Sequence, residues 1–244
     1  GYVEGVGSQA RFNFILSFLH LSTNQVLIAD YGNHCLRSLN RSTNQTAKYV
    51  GNCTQSGNQD GINALLLYPR MLTFDLKNPG HILIAEISGN LKSVTSTNRN
   101  VLRFGTVGHR VYCIIQEDKK GDIFVSVQHA IGVFDYQTKT FTLIAGSTSY
   151  GFRDGQFSNV KFHYPVALIF LDNHTLLVSD QYNYRLRVLD LITNTSVSIC
   201  SGEYGLADGN FSSCSLRSTV GLLTIEDEIY VGDDERIRII EGVY

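Results

Sequence analysis

The sequence of 244 residues predicts an all-β fold built from a repeated unit of four short strands. Two observations lead to this prediction. A phrase at 27–37, LIADYGNHCLR, returns at 177–187 as LVSDQYNYRLR and, with more changes, at 229–238. No segment of useful length shows the apolar spacing of a helix. Repetition at intervals of about fifty residues is typical of folds that use one supersecondary unit several times.

A second, shorter phrase marks the start of a unit. In the fourth unit it is an Asp-Gly pair at 154–155, followed by Val160, Phe162 and Pro165. Related lead-ins begin at the acidic residues Glu4, Asp60 and Asp208. The third unit has no such lead-in but keeps the rhythm of four strands. Together the two phrases divide the chain into five units.

The fourth unit shows how each strand is recognised. Residues 166–171 form a near-continuous apolar run, which is typical of an innermost strand buried on both faces. Residues 175–180 form the second strand, 184–190 alternate as a half-buried third, and 196–202 are a weaker outer strand. The matching strands are predicted at 15–21, 25–30, 35–40 and 46–51; at 71–76, 81–86, 91–95 and 101–105; at 111–116, 122–127, 131–136 and 140–146; and at 220–225, 228–233 and 236–240.

Four-stranded antiparallel units in series, none able to bury its faces alone, predict a β-propeller. We expect five blades in a single domain over residues 1–244. Nineteen strands are predicted, and the twentieth is expected to be missing at the C-terminus. A neighbouring chain could complete the last blade by strand donation, or the sequence could be a fragment whose own missing residues close the propeller, with a sixth blade. Both alternatives stay open at this point.

The lead-in, the strand ending at Asp30 and the turn Asn33-His34-Cys35-Leu36-Arg37 resemble the NHL repeat. The resemblance covers essentially the whole chain and is strongest in the first and fourth units. It implies a β-propeller fold. It implies no single activity, because NHL-like propellers serve as lyases, RNA binders and protein-interaction platforms.

The glycosylation sequons of the chain indicate the compartment in which the protein is found. The chain contains six Asn-X-Ser/Thr sequons, a clear excess over chance, and several of them fall in predicted turns. The predicted glycosylation sites are Asn40, Asn44, Asn52, Asn173, Asn194 and Asn210. We therefore expect a secreted, extracellular glycoprotein.

The five cysteines fit an oxidising compartment. Cys200 ends an outer strand and Cys214 lies in the next lead-in, so a local disulfide between them is predicted. The pairing of Cys35, Cys53 and Cys113 stays open, and an odd count permits an intermolecular bond. No Cys or His spacing predicts a metal site, and no cofactor is expected.

The charge pattern argues against two classes of partner. The net charge is -2, without a cluster of Lys and Arg, so nothing favours nucleic acid. The apolar run 166–171 is far too short to cross a bilayer, and no membrane insertion is expected.

The polar residues of the repeated phrase predict a structural role, because residues repeated in register in several units are poor candidates for one asymmetric site. The Asp residues are expected to accept backbone hydrogen bonds two or three residues on, the Asn residues to adopt a left-handed conformation, and the Arg residues to pair with an acidic lead-in residue of a neighbouring blade. These are Asp30, Asp180 and Asp233; Asn33 and Asn183; and Arg37, Arg187 and Arg238.

Binding residues are sought where the repeats differ. The turns between second and third strands should emerge together on one face, and they carry Tyr, Gln and His, which suit recognition without heavy charge. The predicted binding residues are Tyr31, His34, Ser88, Gln128, His129, Gln181, Tyr182 and Asp234.

These observations favour a non-catalytic module that binds a protein or glycan ligand or takes part in a structural assembly, polymerising through its incomplete last blade. The alternative is a metal-dependent propeller hydrolase or lyase. No converging set of histidines, no ring of inner carboxylates and no Gly-X-Ser-X-Gly elbow indicates a catalytic centre, so no catalytic residue is predicted.

Overall fold

The computed structural model describes residues 1–117, 120–208, 213–225 and 228–240, and in them the chain folds into antiparallel β-sheets. The architecture is a β-propeller of five blades, as the repeats predict. Three single-turn 3₁₀ helices complete the regular structure, at Gly7–Gln9, Tyr31–Asn33 and Gln181–Asn183. No described helix has the length and apolarity that crossing a bilayer would need.

Each blade is one sheet, and apart from a short strand at the outer edge of the first and fourth blades, its strands follow in chain order from the innermost outward. The first blade comprises β1 (Gly5–Val6), β2 (Ile15–Ser22), β3 (Gln25–Asp30), β4 (Cys35–Asn40) and β5 (Gln45–Gly51). The second comprises β6 (Pro69–Phe74), β7 (His81–Glu86), β8 (Asn90–Thr95) and β9 (Val101–Thr106), and the third β10 (Val111–Gln116), β11 (Ile123–Val127), β12 (Ala130–Phe134) and β13 (Phe141–Gly146). The fourth comprises β14 (Gly155–Gln156), β15 (Pro165–Phe170), β16 (Thr175–Asp180), β17 (Arg185–Asp190) and β18 (Thr195–Ile199), and the fifth β19 (Thr219–Ile225), β20 (Glu228–Asp233) and β21 (Arg236–Ile240).

Two short strands were not predicted. β1 and β14 follow the acidic lead-in residues and pair with the outer strands β5 and β18 of their own blades. The Gly at each start makes this possible, since Gly5 (φ 155°) and Gly155 (φ 110°) adopt backbone conformations that other residues rarely take. The lead-in therefore lies along the outer edge of the blade that it precedes.

The chain divides into two compact units. The N-terminal unit spans Gly1–Asp122 and Asp135–Thr140, and the C-terminal unit spans Ile123–Phe134 and Phe141–Tyr244. A single domain over residues 1–244 stays a prediction. Apolar side chains of the strands and of the segments that lead into them form a core in each unit: Leu27, Leu36, Leu66, Ile84 and Val101 in the first, and Leu177, Leu186, Leu216, Ile229 and Val231 in the second.

The repeated polar phrase builds a buried network in the fourth blade. Arg187 is fully buried and its guanidinium contacts two carboxylates, Asp180 at 2.8 Å and Asp154 at 2.7 Å. Asn183 donates to the same Asp180 side chain at 2.7 Å. In the first blade, Arg37 and Asp30 form the corresponding buried pair at 3.4 Å. These residues are structural, as predicted from their recurrence.

Three details of that prediction were wrong. Asp180 accepts a backbone hydrogen bond from His163, which lies 17 residues earlier in the chain rather than two or three later. The left-handed residue is the one after each Asn, His34 (φ 57°) or Tyr184 (φ 55°), because the Asn lies within the 3₁₀ turn. Arg187 pairs with the lead-in Asp154 of its own blade, since β14 adds to that blade's outer strand.

Two disulfides join local segments. Cys200 bonds to Cys214, the predicted pair, and Cys35 bonds to Cys53, the pairing that the sequence leaves open. The fifth cysteine, Cys113, is buried, and its thiol lies 3.8 Å from the carbonyl oxygen of Ile114.

The fifth blade has three strands within the described residues. The predicted absence of a further strand concerns the chain after Ile240, and residues 241–244 lie outside the described part.

Candidate functional site

Five aromatic and imidazole rings of the C-terminal unit contact one another, and we call them the aromatic cluster. Two come from turns between second and third strands, one from the connection after β13, and two from the segment that precedes β15. The members are His129, Tyr150, His163, Tyr164 and Tyr182. Their ring centroids lie 4.7–5.8 Å apart between neighbours. Such separations are those of stacked and edge-to-face aromatic pairs.

The cluster has a buried base and an exposed surface. His129 is 7% exposed, and Tyr164 packs against it edge-on at 5.0 Å. Tyr150 is 65% exposed and stacks on His163 at 4.7 Å with an angle of 22° between the rings. Tyr182 is 49% exposed and meets His163 edge-on at 5.1 Å. The two exposed rings therefore pack on the half-buried His163 ring, which itself contacts the buried His129.

The imidazole at the base is uncharged near neutral pH. Burial lowers the pKa of His129 below its ordinary value of 6.5, and the neighbouring His163 lowers it further. The His129 Nδ1 atom is buried and has no hydrogen-bond partner within the described residues. Nearby, the exposed Gln128 amide donates to the Tyr164 hydroxyl at 3.3 Å. The cluster thus combines apolar ring faces with a few polar atoms and little charge.

The structural network of the fourth blade positions this cluster. The Asp180 carboxylate accepts a hydrogen bond from the backbone N–H of His163 at 2.7 Å. The backbone N–H groups of Gln181 and Tyr182 donate to the carbonyls of Tyr164 and His163, at 3.2 and 3.0 Å. The turn after β16 is therefore bonded to the segment before β15, and both carry rings of the cluster. Tyr164 has φ 58°, an uncommon conformation for a bulky residue that the surrounding bonds hold in place.

A smaller group of rings lies in the N-terminal unit at the corresponding turn. Tyr68 contacts Tyr31 at 4.9 Å and His34 at 4.2 Å between ring centroids. The backbone N–H of Tyr68 donates to His34 Nδ1 at 3.2 Å, so this nitrogen is the acceptor of the ring. Burial lowers the pKa of His34. Tyr68 has φ 53°, as its counterpart Tyr164 does at nearly the same value.

The predicted binding residues thus divide into groups. Gln128, His129 and Tyr182 meet in the aromatic cluster or next to it, and Tyr31 and His34 meet in the smaller group. The other three make local contacts: Ser88 Oγ with Glu86 at 3.4 Å, Gln181 with the Ser218 hydroxyl at 2.9 Å, and Asp234 with Arg217 at 3.5 Å.

Sequence reasoning missed four of the rings because it considered only the turns after second strands. Tyr150 and the segments just before innermost strands were left out. A signal was present: Tyr68-Pro69 and Tyr164-Pro165 repeat the same pair at the same place in two units. No three His, Cys, Asp or Glu side chains converge as metal ligands in the described part of the chain.

The sequons lie mostly in exposed turns. Asn40 and Asn44 flank the turn between β4 and β5, Asn173 lies between β15 and β16, and Asn194 lies between β17 and β18. These four are exposed, whereas Asn52 is half-buried beside Cys53. Within each blade, the four exposed sequons lie at the opposite end of the strands from the rings described above. Asn210 lies outside the described residues.

Comparison with known proteins supports the fold and leaves the family open. No family model matches the chain. The Arabidopsis thaliana protein SUPPRESSOR OF QUENCHING 1, chloroplastic, is 24% identical over 275 aligned residues, which cover 99% of this chain and 26% of that protein. The chain therefore spans about a quarter of the length of that relative.

Two solved structures show the same fold at low sequence identity. An auxiliary nutrient binding protein from Bacteroides thetaiotaomicron matches with a TM-score of 0.65 at 15% identity, covering 95% of this chain and 69% of its own. A chain of a nidogen/laminin complex matches with a TM-score of 0.66 at 10% identity, covering 96% of this chain and 80% of its own. At these identities the likeness establishes a β-propeller and nothing finer, and the similarity to NHL repeats stays a resemblance.

Proposed function

We propose that this β-propeller is a non-catalytic binding module whose aromatic cluster takes a neutral saccharide. The observation that carries the proposal is the pair of exposed tyrosine rings, Tyr150 and Tyr182, packed on the half-buried His163 ring beside the uncharged His129 imidazole. A sugar ring offers one apolar face of C–H groups and a rim of hydroxyls. The cluster offers flat aromatic faces for the first and polar atoms for the second.

The electrostatics of the cluster favour a neutral ligand over a charged one. The lowered pKa of His129 keeps its ring neutral at pH 7, so no positive charge at the base attracts an anion. The exposed Gln128 amide and the Tyr164 hydroxyl supply hydrogen-bonding atoms close to the rings. Hydroxyl groups of a saccharide can satisfy such atoms without bringing in charge.

A likeness in fold adds limited support. One structural neighbour is described as an auxiliary nutrient binding protein, which agrees with a binding role for this fold. A protein ligand would use the same exposed tyrosines, because tyrosine is enriched in protein interfaces. The experiment below separates the two kinds of ligand.

The test measures binding of neutral oligosaccharides, namely cello-, manno-, xylo-, malto- and chito-oligosaccharides, by isothermal titration calorimetry. We expect at least one series to bind. Tyr150→Ala and Tyr182→Ala should each weaken its affinity by about tenfold, since each removes a stacking face. The matched control is Tyr204→Ala, which removes another exposed tyrosine of the same unit outside the cluster.

Two results would overturn the saccharide proposal. One is that no series binds, and the other is that the cluster variants bind a sugar as tightly as the parent. If instead the two cluster variants lose binding of a protein captured from extracellular extract while no sugar binds, the ligand is a protein.

Secretion and N-glycosylation form part of the same proposal. Four exposed sequon asparagines and two disulfides support it. Residues 1–244 secreted from a eukaryotic host should have a mass above the sequence value of 27.2 kDa, and glycosidase treatment should reduce the excess. A mass equal to that of the bare chain would contradict glycosylation.

We also infer that the edge of β21 accepts a strand from a second copy of the chain. In the described part, β21 pairs with β20 alone, whereas the third strands β4 and β17 each pair with a fourth. Ile237 and Ile239 are 77% and 51% exposed on the same face of β21. Such an edge is a template for strand addition.

Native mass spectrometry tests this assembly. We expect species larger than one chain, lost in Ile239→Lys and retained in the control Ile192→Lys, which alters an exposed turn residue. A parent protein that stays monomeric at every concentration excludes assembly.

A further inference from the structure

We propose that a cavity between the first two blades of the N-terminal unit binds a small organic monoanion with an apolar body. The cavity measures about 310 Å³ and opens at the ends of the strands opposite to Tyr31, His34 and Tyr68. A volume of this size falls at the lower end of the range for small-molecule sites. The site is separate from the aromatic cluster and goes beyond the proposed saccharide function.

Four apolar or aromatic side chains form part of the cavity wall, and the rest of the lining is polar. Ile82 and Tyr49 belong to the buried core, and Leu21 packs against it. Phe74, 42% exposed, forms part of the lining near solvent. The backbone N–H of Ser96 donates to the Gly80 carbonyl at 2.8 Å, which ties two loops of the lining together. An apolar group of a ligand would bury its surface against these preformed walls.

One cation lines the cavity. The exposed Arg99 guanidinium lies over the Tyr49 ring at 4.8 Å from its centroid, and Tyr49 in turn donates to the Ser96 carbonyl at 3.4 Å. Arg99 has no carboxylate partner among the described residues, and no acidic side chain lines the cavity. An arginine stacked on an aromatic ring is oriented in advance and offers a planar fork of donors to a carboxylate.

A buried ring nitrogen of the lining also lacks a partner. The Nε2 atom of His81 contacts the Thr95 hydroxyl at 3.3 Å, whereas Nδ1 is buried with no hydrogen-bond partner in the described part of the chain. Because Nδ1 is enclosed by protein atoms, a ligand in the cavity cannot reach it, and polar contacts to a ligand come from other groups of the lining. Gln25 adds a neutral amide to the same lining.

These features together select the ligand class. The Arg99 guanidinium favours an anionic group, and its single positive charge matches one negative charge on the ligand. The apolar and aromatic part of the lining, Leu21, Tyr49, Phe74 and Ile82, suits an aryl or alkyl body. A carboxylate on a small aromatic body fits both requirements within the available volume.

The experiment uses phenylacetate and its neutral analogue phenylacetamide as probes, measured by saturation-transfer NMR and calorimetry on the full chain. We expect phenylacetate to bind about tenfold more tightly than phenylacetamide, because the neutral amide cannot form the charge-assisted hydrogen bonds that a carboxylate makes with the guanidinium. Arg99→Gln should abolish this preference. Arg103→Gln is the matched control, since Arg103 is an exposed cation of the adjacent strand β9 that does not line the cavity.

Arg99 is exposed, so Arg99→Gln should fold with an unchanged thermal midpoint, and loss of binding then reports on the cavity itself. Equal binding of the two probes, absence of binding by both, or a preference that survives Arg99→Gln would each overturn the proposal. Saccharide binding at the aromatic cluster is measured separately and is expected to be unchanged in Arg99→Gln.

Discussion

The third and fourth blades build the same part of the propeller from different chemistry. In the ladder between second and third strands, Asp180 of the fourth blade and Val127 of the third occupy the same register. Arg187 corresponds in the same way to Gly132. The fourth blade therefore has a buried ion pair where the third has an apolar residue and a glycine. The ring of Phe141 lies over Gly132, so close that an added Cβ would come within 2.3 Å of it.

The difference shows that cation and carboxylate are exchanged together. A buried Arg without its Asp would leave an uncompensated charge, which is strongly unfavourable, whereas an apolar replacement of the whole pair is tolerated. The second blade is intermediate between these two arrangements. Its fully buried cation is Lys92, which contacts the partly exposed Asp60 at 3.1 Å. The network is thus one solution among several for holding a blade together.

The largest test of this comparison is Arg187→Met. Removing the guanidinium leaves Asp180 buried without its cation, and we expect a loss of about 3–5 kcal/mol in the free energy of unfolding. Urea denaturation followed by fluorescence or circular dichroism measures it. Adding Asp180→Asn to this variant should restore part of the loss. A loss below about 1 kcal/mol would contradict a role for the pair in stability.

The third blade is tested with Gly132→Ala. The new Cβ would meet Phe141 at 2.3 Å and the Thr142 carbonyl oxygen at 2.7 Å, so we expect destabilisation by about 1–3 kcal/mol. The matched control is Gly221→Ala in β19, where no atom lies within 4 Å of the added Cβ. Phe141→Leu in the Gly132→Ala background should restore part of the loss, because it removes the contact with the ring while the Thr142 carbonyl oxygen remains. Equal thermal midpoints of the two alanine variants would contradict tight packing at Gly132.

A smaller effect is expected at the outer partner of Arg187. Asp154 is 36% exposed, so its attraction to the guanidinium is screened by solvent. Asp154→Asn should reduce the free energy of unfolding by about 0–1 kcal/mol, far less than Arg187→Met. The same urea titration measures both variants. A larger loss in the free energy of unfolding for Asp154→Asn than for Arg187→Met would contradict this ranking.

The smallest effect is a pH dependence at the turn of the third blade. The pKa of His129 is lowered by burial and by His163, so the folded state binds this proton less well than the unfolded state. The stability that His129 contributes is fully present above the ordinary pKa of 6.5 and is lost as pH falls through the folded value. His129→Gln should flatten the fall of the thermal midpoint below pH 6.5, with the exposed-histidine variant His174→Gln as control. An unchanged slope in His129→Gln would contradict this assignment.

The sequence predicts the blades well because each strand carries its own pattern and the pattern returns. The repeated Asp, Asn and Arg residues are identified as structural by recurrence alone. Their partners are harder to predict, since Asp180 bonds to His163 across the sheet and no local turn rule describes that contact. The strands β1 and β14 are too short to show any periodicity.

The candidate site is predicted only in part for a related reason. The turns supply His129 and Tyr182, and differences between repeats point to them. Tyr150 and His163 come from connections whose path is set by the fold, so their approach is visible only in three dimensions. The Cys35–Cys53 pairing is likewise not predictable from the sequence. Three thiols are candidates, and only the positions of β4 and of the chain after β5 show which two of them bond.

The bond from Asp180 to the backbone of His163 has a consequence for how such a surface can change. The carboxylate accepts a hydrogen bond from a main-chain N–H group, and this bond does not depend on the side chains that the segment displays. Residues at 163, 164 and 182 can therefore be exchanged while the frame stays constant. A randomised library at these three positions should yield folded propellers of diverse specificity, which makes this turn a natural place for binding preference to evolve.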